Sequence, residues 1–144
     1  MIIEDKNIIN NLGFHPTCKI ELANGTCNFV PFIVKGDLVK LGNSNNYTIG
    51  EIEYVIIKKI VGPYDMIRLS KDLILTKWTS VKINNEWKIA NDIGEKCYGM
   101  YFNSLYNFIL KDNTEKGIII QNFECATVSR EMLDLYDNSG LINK

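Results

Sequence analysis

The chain has 144 residues, 46% of them hydrophobic and 23% charged, which suits one globular domain with its own core and argues against wholesale disorder. Sixteen basic against seventeen acidic side chains leave a formal net charge of −1, which argues against a protein built mainly to neutralise phosphates. The longest apolar run, Phe29 to Val34, contains Pro31 and falls far short of the roughly 20 residues that cross a bilayer. Glu4 and Asp5 stand where a secretory leader would carry basic residues. The expectation is an intracellular protein, neither secreted nor in a membrane. The 21 Ile, 17 Asn and 14 Lys against 2 Arg read as the codon bias of an AT-rich genome, that of a protist, a bacterium or a large virus, and carry no mechanism.

In chain order, Asp5 is placed to cap a short helix with Ile8, Ile9 and Leu12 on one side, ended by Gly13. Residues 1–12 therefore read as an N-terminal extension. From Cys18 the pattern turns to short β-type segments. Lys19 to Leu22 and Asn28 to Val34 flank Asn24-Gly25, a strong hairpin signal. Leu38 to Leu41 precedes a polar loop at 42–46, and Tyr47 to Val61 is a long β-branched stretch closed by Gly62-Pro63.

Met66 to Leu69 and Leu73 to Thr76 flank a turn, and Ser80 to Ile83 and Trp87 to Ala90 flank Asn84-Asn85-Glu86. Leu105 to Lys111 and Gly117 to Phe123 read as another hairpin across Asp112-Asn113-Thr114, and Cys125 to Val128 closes the sheet system. Ser129 then suits an N-cap, with Met132, Leu133 and Leu135 on a short helix before the tail, over residues 131–144. Many short strands at close spacing indicate a single all-β domain over residues 13–130.

Residues 13–130 resemble a Hint domain, the self-processing module of hedgehog proteins and inteins, and most of all the subtype found beside von Willebrand type A domains. The run from Cys18 to the Asn24-Gly25 turn leads at matching spacing to Val34-Lys35-Gly36-Asp37-Leu38-Val39, where the family has Lys-x-Gly-Asp-x-Val. The family's Leu-x-Thr-x-x-His-x-Val, then Trp and Ala-Asp, is answered by the run from Leu73 through Thr76 and Thr79 to Val81, then Trp87 and Ala90-Asn91-Asp92. Its closing Tyr-Asn-Phe-x-Leu and Glu-Cys-x-Thr correspond to Tyr106 to Leu110 and Glu124 to Thr127. The resemblance implies a flat, horseshoe-like all-β fold of twisted strands.

It also implies a chemistry whose groups are missing. In the family an N-terminal Cys thiol attacks the preceding carbonyl to give a thioester, while Thr and His polarise and protonate the scissile amide. Here the Cys-Phe position reads Gly13-Phe14, the Thr position keeps Thr76 and the His position reads Thr79. Glycine cannot be a nucleophile, and a threonine hydroxyl cannot act as a general acid near neutral pH. Twelve residues precede Gly13, and the chain stops after Asn143-Lys144 without the His-Asn ending of inteins. The expectation is a non-processing Hint-like domain serving as a protein-interaction or structural module, with no cofactor and an unnamed protein partner.

Three other readings stand beside it. Cys18 with His15 as its base and Thr76 nearby would form a displaced thiol-dependent processing or hydrolase site. In an extended segment, however, residues 15 and 18 face opposite sides, and Pro16 stiffens the link. A zinc site through His15, Cys18 and another cysteine lacks a second spaced pair. Trp78, Trp87, Tyr98, Tyr101, Phe102 and Tyr106 read either as sheet core or as an exposed patch for a partner. Scattered lysines give no groove for nucleic acid.

Overall fold

Most of the chain pairs into antiparallel strands because β-branched runs alternate with Gly, Asn and Asp turns at hairpin spacing. The computed structural model describes residues 12–43, 46–112, 114–129 and 141–142. The helices expected from Asp5 and from Ser129 onward fall on residues outside this set. Among the described residues, no helix is long and apolar enough to cross a membrane.

β1 (Lys19–Glu21) and β2 (Cys27–Phe29) form the first hairpin. Its turn depends on Gly25, whose φ of 89° suits glycine, and on the Asn24 carboxamide, which accepts hydrogen bonds from the Thr26 N–H and hydroxyl at 3.0 and 2.7 Å. The strand expected to run to Val34 stops at Phe29. Pro31, with no N–H for a ladder, opens a single 3-10 turn over Val30–Phe32 instead.

β3 (Leu38–Asn43) and β4 (Asn46–Lys59) pair from Leu38↔Glu51 to Asn43↔Asn46. Most of the expected polar loop is thus ladder. The fourteen residues of β4 serve two partners: the first part pairs with β3, and Ile52 to Lys59 pair with β10 (Ser104–Leu110).

The expected hairpin between 105–111 and 117–123 does not form. β10 goes to β4, while β11 (Ile118–Ile120) turns at once into β12 (Phe123–Cys125) through Gln121 and Asn122, both with positive φ. β7 (Ser80–Ile83) and β8 (Glu86–Ile89) pair as expected across Asn84 and Asn85, also both at positive φ, the left-handed region that asparagine tolerates. A one-turn helix, α1 (Ala90–Ile93), follows.

The large sheet runs β10-β4-β3-β11-β12-β7-β8, with β1 on β11 and β13 (Leu141–Ile142) on β4. A smaller sheet has the order β6-β5-β9, from β5 (Tyr64–Arg68), β6 (Ile74–Leu75) and β9 (Glu95–Met100). The sequence pattern of residues 95–100 does not suggest this last strand. The result is an all-β domain of open sheets.

Its main core gathers Phe14, Cys18, Ile20, Val39, Ile52, Phe108, Ile118 and Cys125 from both halves of the chain. A second cluster joins Ile60, Met66, Ile74 and Leu105. Burying one side chain the size of Phe108 stabilises by about 1.5–3 kcal/mol. The thiols of Cys18, just before β1, and of Cys125, in β12, belong to this core.

Candidate functional site

Residues 13–15 lie between the two sheets and are hydrogen-bonded on both sides. The Phe14 N–H donates to the Tyr106 carbonyl at 2.8 Å and the Tyr106 N–H donates back to Phe14 at 3.1 Å. On the other side, the His15 N–H donates to the Ile74 carbonyl (2.9 Å) and the Thr76 N–H to the Gly13 carbonyl (3.0 Å). The Phe14 ring is fully buried, so the backbone of Gly13 is held by its neighbours.

Gly13 thereby meets Thr76. Its buried N–H donates to Thr76 Oγ1 at 3.1 Å, and Thr76 Oγ1 lies 2.8 Å from Thr79 Oγ1 in a second buried hydrogen bond. Thr79 is brought back by a tight turn in which its N–H donates to the Thr76 carbonyl (3.1 Å). The structure therefore places Gly13, Thr76 and Thr79 together, as a chain of one amide and two hydroxyls. A Cβ on Gly13 would stand 3.0 Å from the Tyr106 carbonyl oxygen and 3.1 Å from Leu105 Cβ, so a side chain at this position demands a small shift of β10.

His15 and Cys18 do not join this group. The segment between them is a turn, with the Cys18 N–H donating to the His15 carbonyl at 3.0 Å, and not the extended run expected from the sequence. Pro16 sets that turn by fixing φ. The His15 Nδ1 accepts from the Thr17 N–H (3.1 Å) and shares a bond with the Thr17 hydroxyl (2.9 Å). The ring packs at 4.8 Å from Phe102, and partial burial lowers its pKa. Cys18 points inward, its thiol donating to the Ile74 carbonyl at 3.2 Å. Burial pushes that thiol up to about 12, and burial also raises Cys125 well above the ordinary thiol range. The thiolate is the reactive form, and neither site favours it. Among the described residues, no three His, Cys, Asp or Glu side chains gather as a metal ion would require.

A pocket of about 530 Å³ opens beside Thr79. Its lining combines the apolar side chains of Leu12, Trp78, Trp87, Leu110 and Val128 with polar Thr79, Ser80 and Asn107 and charged Asp112, Glu115 and Lys116. Leu12 precedes Gly13 directly, so the pocket sits where the family's scissile bond would lie. The motif spacing does not single out Ser80, whereas Asn107 is the Asn of the run Tyr106 to Leu110 that answers the family's Tyr-Asn-Phe-x-Leu, a match that assigned it no role. Of the aromatic residues, Tyr98 and Tyr101 are 73% and 80% exposed and Trp87 is 40% exposed, which corrects the sheet-core reading for these three.

The family model "Vint: Hint-domain" matches residues 13–139. The chain belongs to the Hint-domain family. Solved structures agree at the level of fold. The DnaB intein from Synechocystis sp. is 9% identical, with a TM-score of 0.61 over 81% of this chain and 99% of that one. A variant of the Ssp DnaB mini-intein gives 10% identity and a TM-score of 0.61 over 89% and 99%. A bacterial intein-like domain from Clostridium thermocellum gives 11% and 0.60 over 81% and 97%. No curated protein matches the sequence. The Hint domain here thus has Gly13 as the first residue of the family match.

Proposed function

We propose that this Hint domain does not process itself and instead serves inside the cell as a protein-binding module. The observation that carries the reading is Gly13 at the start of the family match, its N–H bonded to Thr76, whose hydroxyl is paired with that of Thr79. An acyl shift needs a nucleophile at residue 13 to attack the carbonyl of Leu12, and glycine brings none. The leaving nitrogen also needs an acid, and a threonine hydroxyl keeps its proton at neutral pH. Thr76 and Thr79 satisfy one another and the Gly13 amide, a structural role that requires no chemistry.

The displaced-thiol alternative finds little support. Cys18 is fully buried and held as a thiol, and His15 faces Thr17 and Phe102. Exposed Tyr98, Tyr101 and Trp87 suit a module that meets a partner, since aromatic residues dominate binding hot spots.

The deciding experiment is the intact mass of freshly expressed protein with and without dithiothreitol. One full-length species in both conditions supports the reading. A shortened species that accumulates faster with added thiol refutes it, because thiol captures a thioester.

A further inference from the structure

Successive residues of a strand point to opposite faces, and β10 opens onto a different pocket on each. Asn107 lines the one beside Thr79, whereas Ser104 and Tyr106 line a second, of about 620 Å³, which shares no lining residue with the first among the described residues. His15 reaches it from the segment after Phe14, and Tyr101, Phe102 and Asn103 from the stretch before β10. The volume falls within the range of small-ligand pockets, about 300–1,000 Å³.

His15 gives this pocket a donor. Its Nδ1 accepts the Thr17 N–H at 3.1 Å, and a backbone N–H only donates, so the proton of the neutral imidazole stands on Nε2. That Nε2–H has no partner among the described residues, and neither has the Asn103 side-chain amide. The ring packs 4.8 Å from Phe102, which meets Tyr64 edge-on at 6.0 Å, so the donor is held ready before anything binds. Partial burial lowers the His15 pKa and keeps the ring neutral at pH 7. No charged side chain lines the pocket among the described residues. An anion would leave water with no cation to receive it, and a cation would bring the His15 N–H no acceptor. The rings of Tyr101, Phe102 and Tyr106 favour a flat apolar body that can stack on them.

We propose that this pocket binds a small uncharged aromatic compound whose carbonyl or ring nitrogen accepts from His15 Nε2, with its ring against Tyr101 and Phe102. The site lies on the other face of β10 from the pocket beside Thr79. It therefore goes beyond the binding-module reading and holds whether or not the chain processes itself.

The test is a titration of the ¹⁵N-labelled full chain with benzamide, and with benzoate and phenyltrimethylammonium as its anionic and cationic counterparts. The expected result is saturable shifts at His15 Nε2 and at the Phe102, Asn103 and Ser104 amides, with benzamide the tightest of the three. His15→Asn keeps an acceptor for the Thr17 N–H and loses the ring donor. Tyr101→Ala removes a side chain that is 80% exposed, so the fold does not depend on it. Each should weaken benzamide by about threefold to tenfold, the effect of one hydrogen bond or one ring contact. No saturable shift, shifts confined to residues beside Thr79 such as Ser80 and Val128, equal or tighter binding of a charged probe, or undiminished binding by either variant overturns the proposal.

Discussion

Thr76→Val is nearly isosteric and removes the oxygen that both holds the Gly13 amide and pairs with Thr79 (3.1 and 2.8 Å). The Gly13 N–H would then be buried without an acceptor, a cost of about 1–3 kcal/mol. The Thr79 hydroxyl lines the pocket and can turn to water, so its loss is the net value of one hydrogen bond, about 0.5–1.5 kcal/mol. Together they predict a destabilisation of about 1.5–4.5 kcal/mol, or a fall in Tm of roughly 5–14 °C for a chain of this size. Thr79→Val leaves Thr76 bonded to Gly13 and should cost only about 0.5–1.5 kcal/mol. Urea unfolding of the wild type and both variants measures the difference, and the double variant measures the coupling between the two hydroxyls. Equal losses, or a larger loss for Thr79→Val, would refute the assignment of Thr76 as the residue that holds Gly13 in place.

Other outcomes follow from the same structure. At neutral pH, iodoacetamide should label exposed Cys27 well before buried Cys18, whose thiol is pushed up to about 12; peptide mapping that finds Cys18 labelled first would contradict its buried setting. Gly117→Ala places a Cβ against the Cys125 carbonyl and 3.1 Å from the Trp87 ring, so chemical denaturation should show a loss of about 1–3 kcal/mol; a neutral result would mean that β12 yields easily. His15 has a folded pKa below its ordinary 6.5 because of burial, so the unfolded chain binds protons more readily. Its contribution to stability is present above pH 6.5 and declines as the pH falls below that value. Urea midpoints measured across this window should slope less for His15→Gln than for the wild type; identical slopes would refute the assignment.

Hairpins closed by short polar turns are legible in the sequence because the signal is local. Asn24-Gly25 and Asn84-Asn85 each announce a turn in adjacent residues. The partner of β10 is not legible. Its neighbour β4 ends more than forty residues earlier, and chain proximity points instead to residues 117–123. β11 is claimed by β1, β3 and β12 together, a choice made by the sheet as a whole.

β9 is hidden for a different reason. Its residues Glu95, Lys96, Tyr98 and Gly99 are exposed at this sheet edge, so no buried face writes an alternating pattern. Gly13, Thr76 and Thr79 can be found by motif spacing alone, and the fold brings them together. Ser80 cannot, because in sequence it looks like any other polar strand residue and only the fold shows that it is buried beside Thr79.

Phe14 forms bridges to both Leu75 of β6 and Tyr106 of β10, and so works as a clasp between the two sheets. Residue 13 supplies only backbone to that clasp, whereas residue 14 supplies a ring to the core. A change of side chain at 13 and a change at 14 therefore fall under different kinds of selection: the first touches what the domain can do, the second whether it exists.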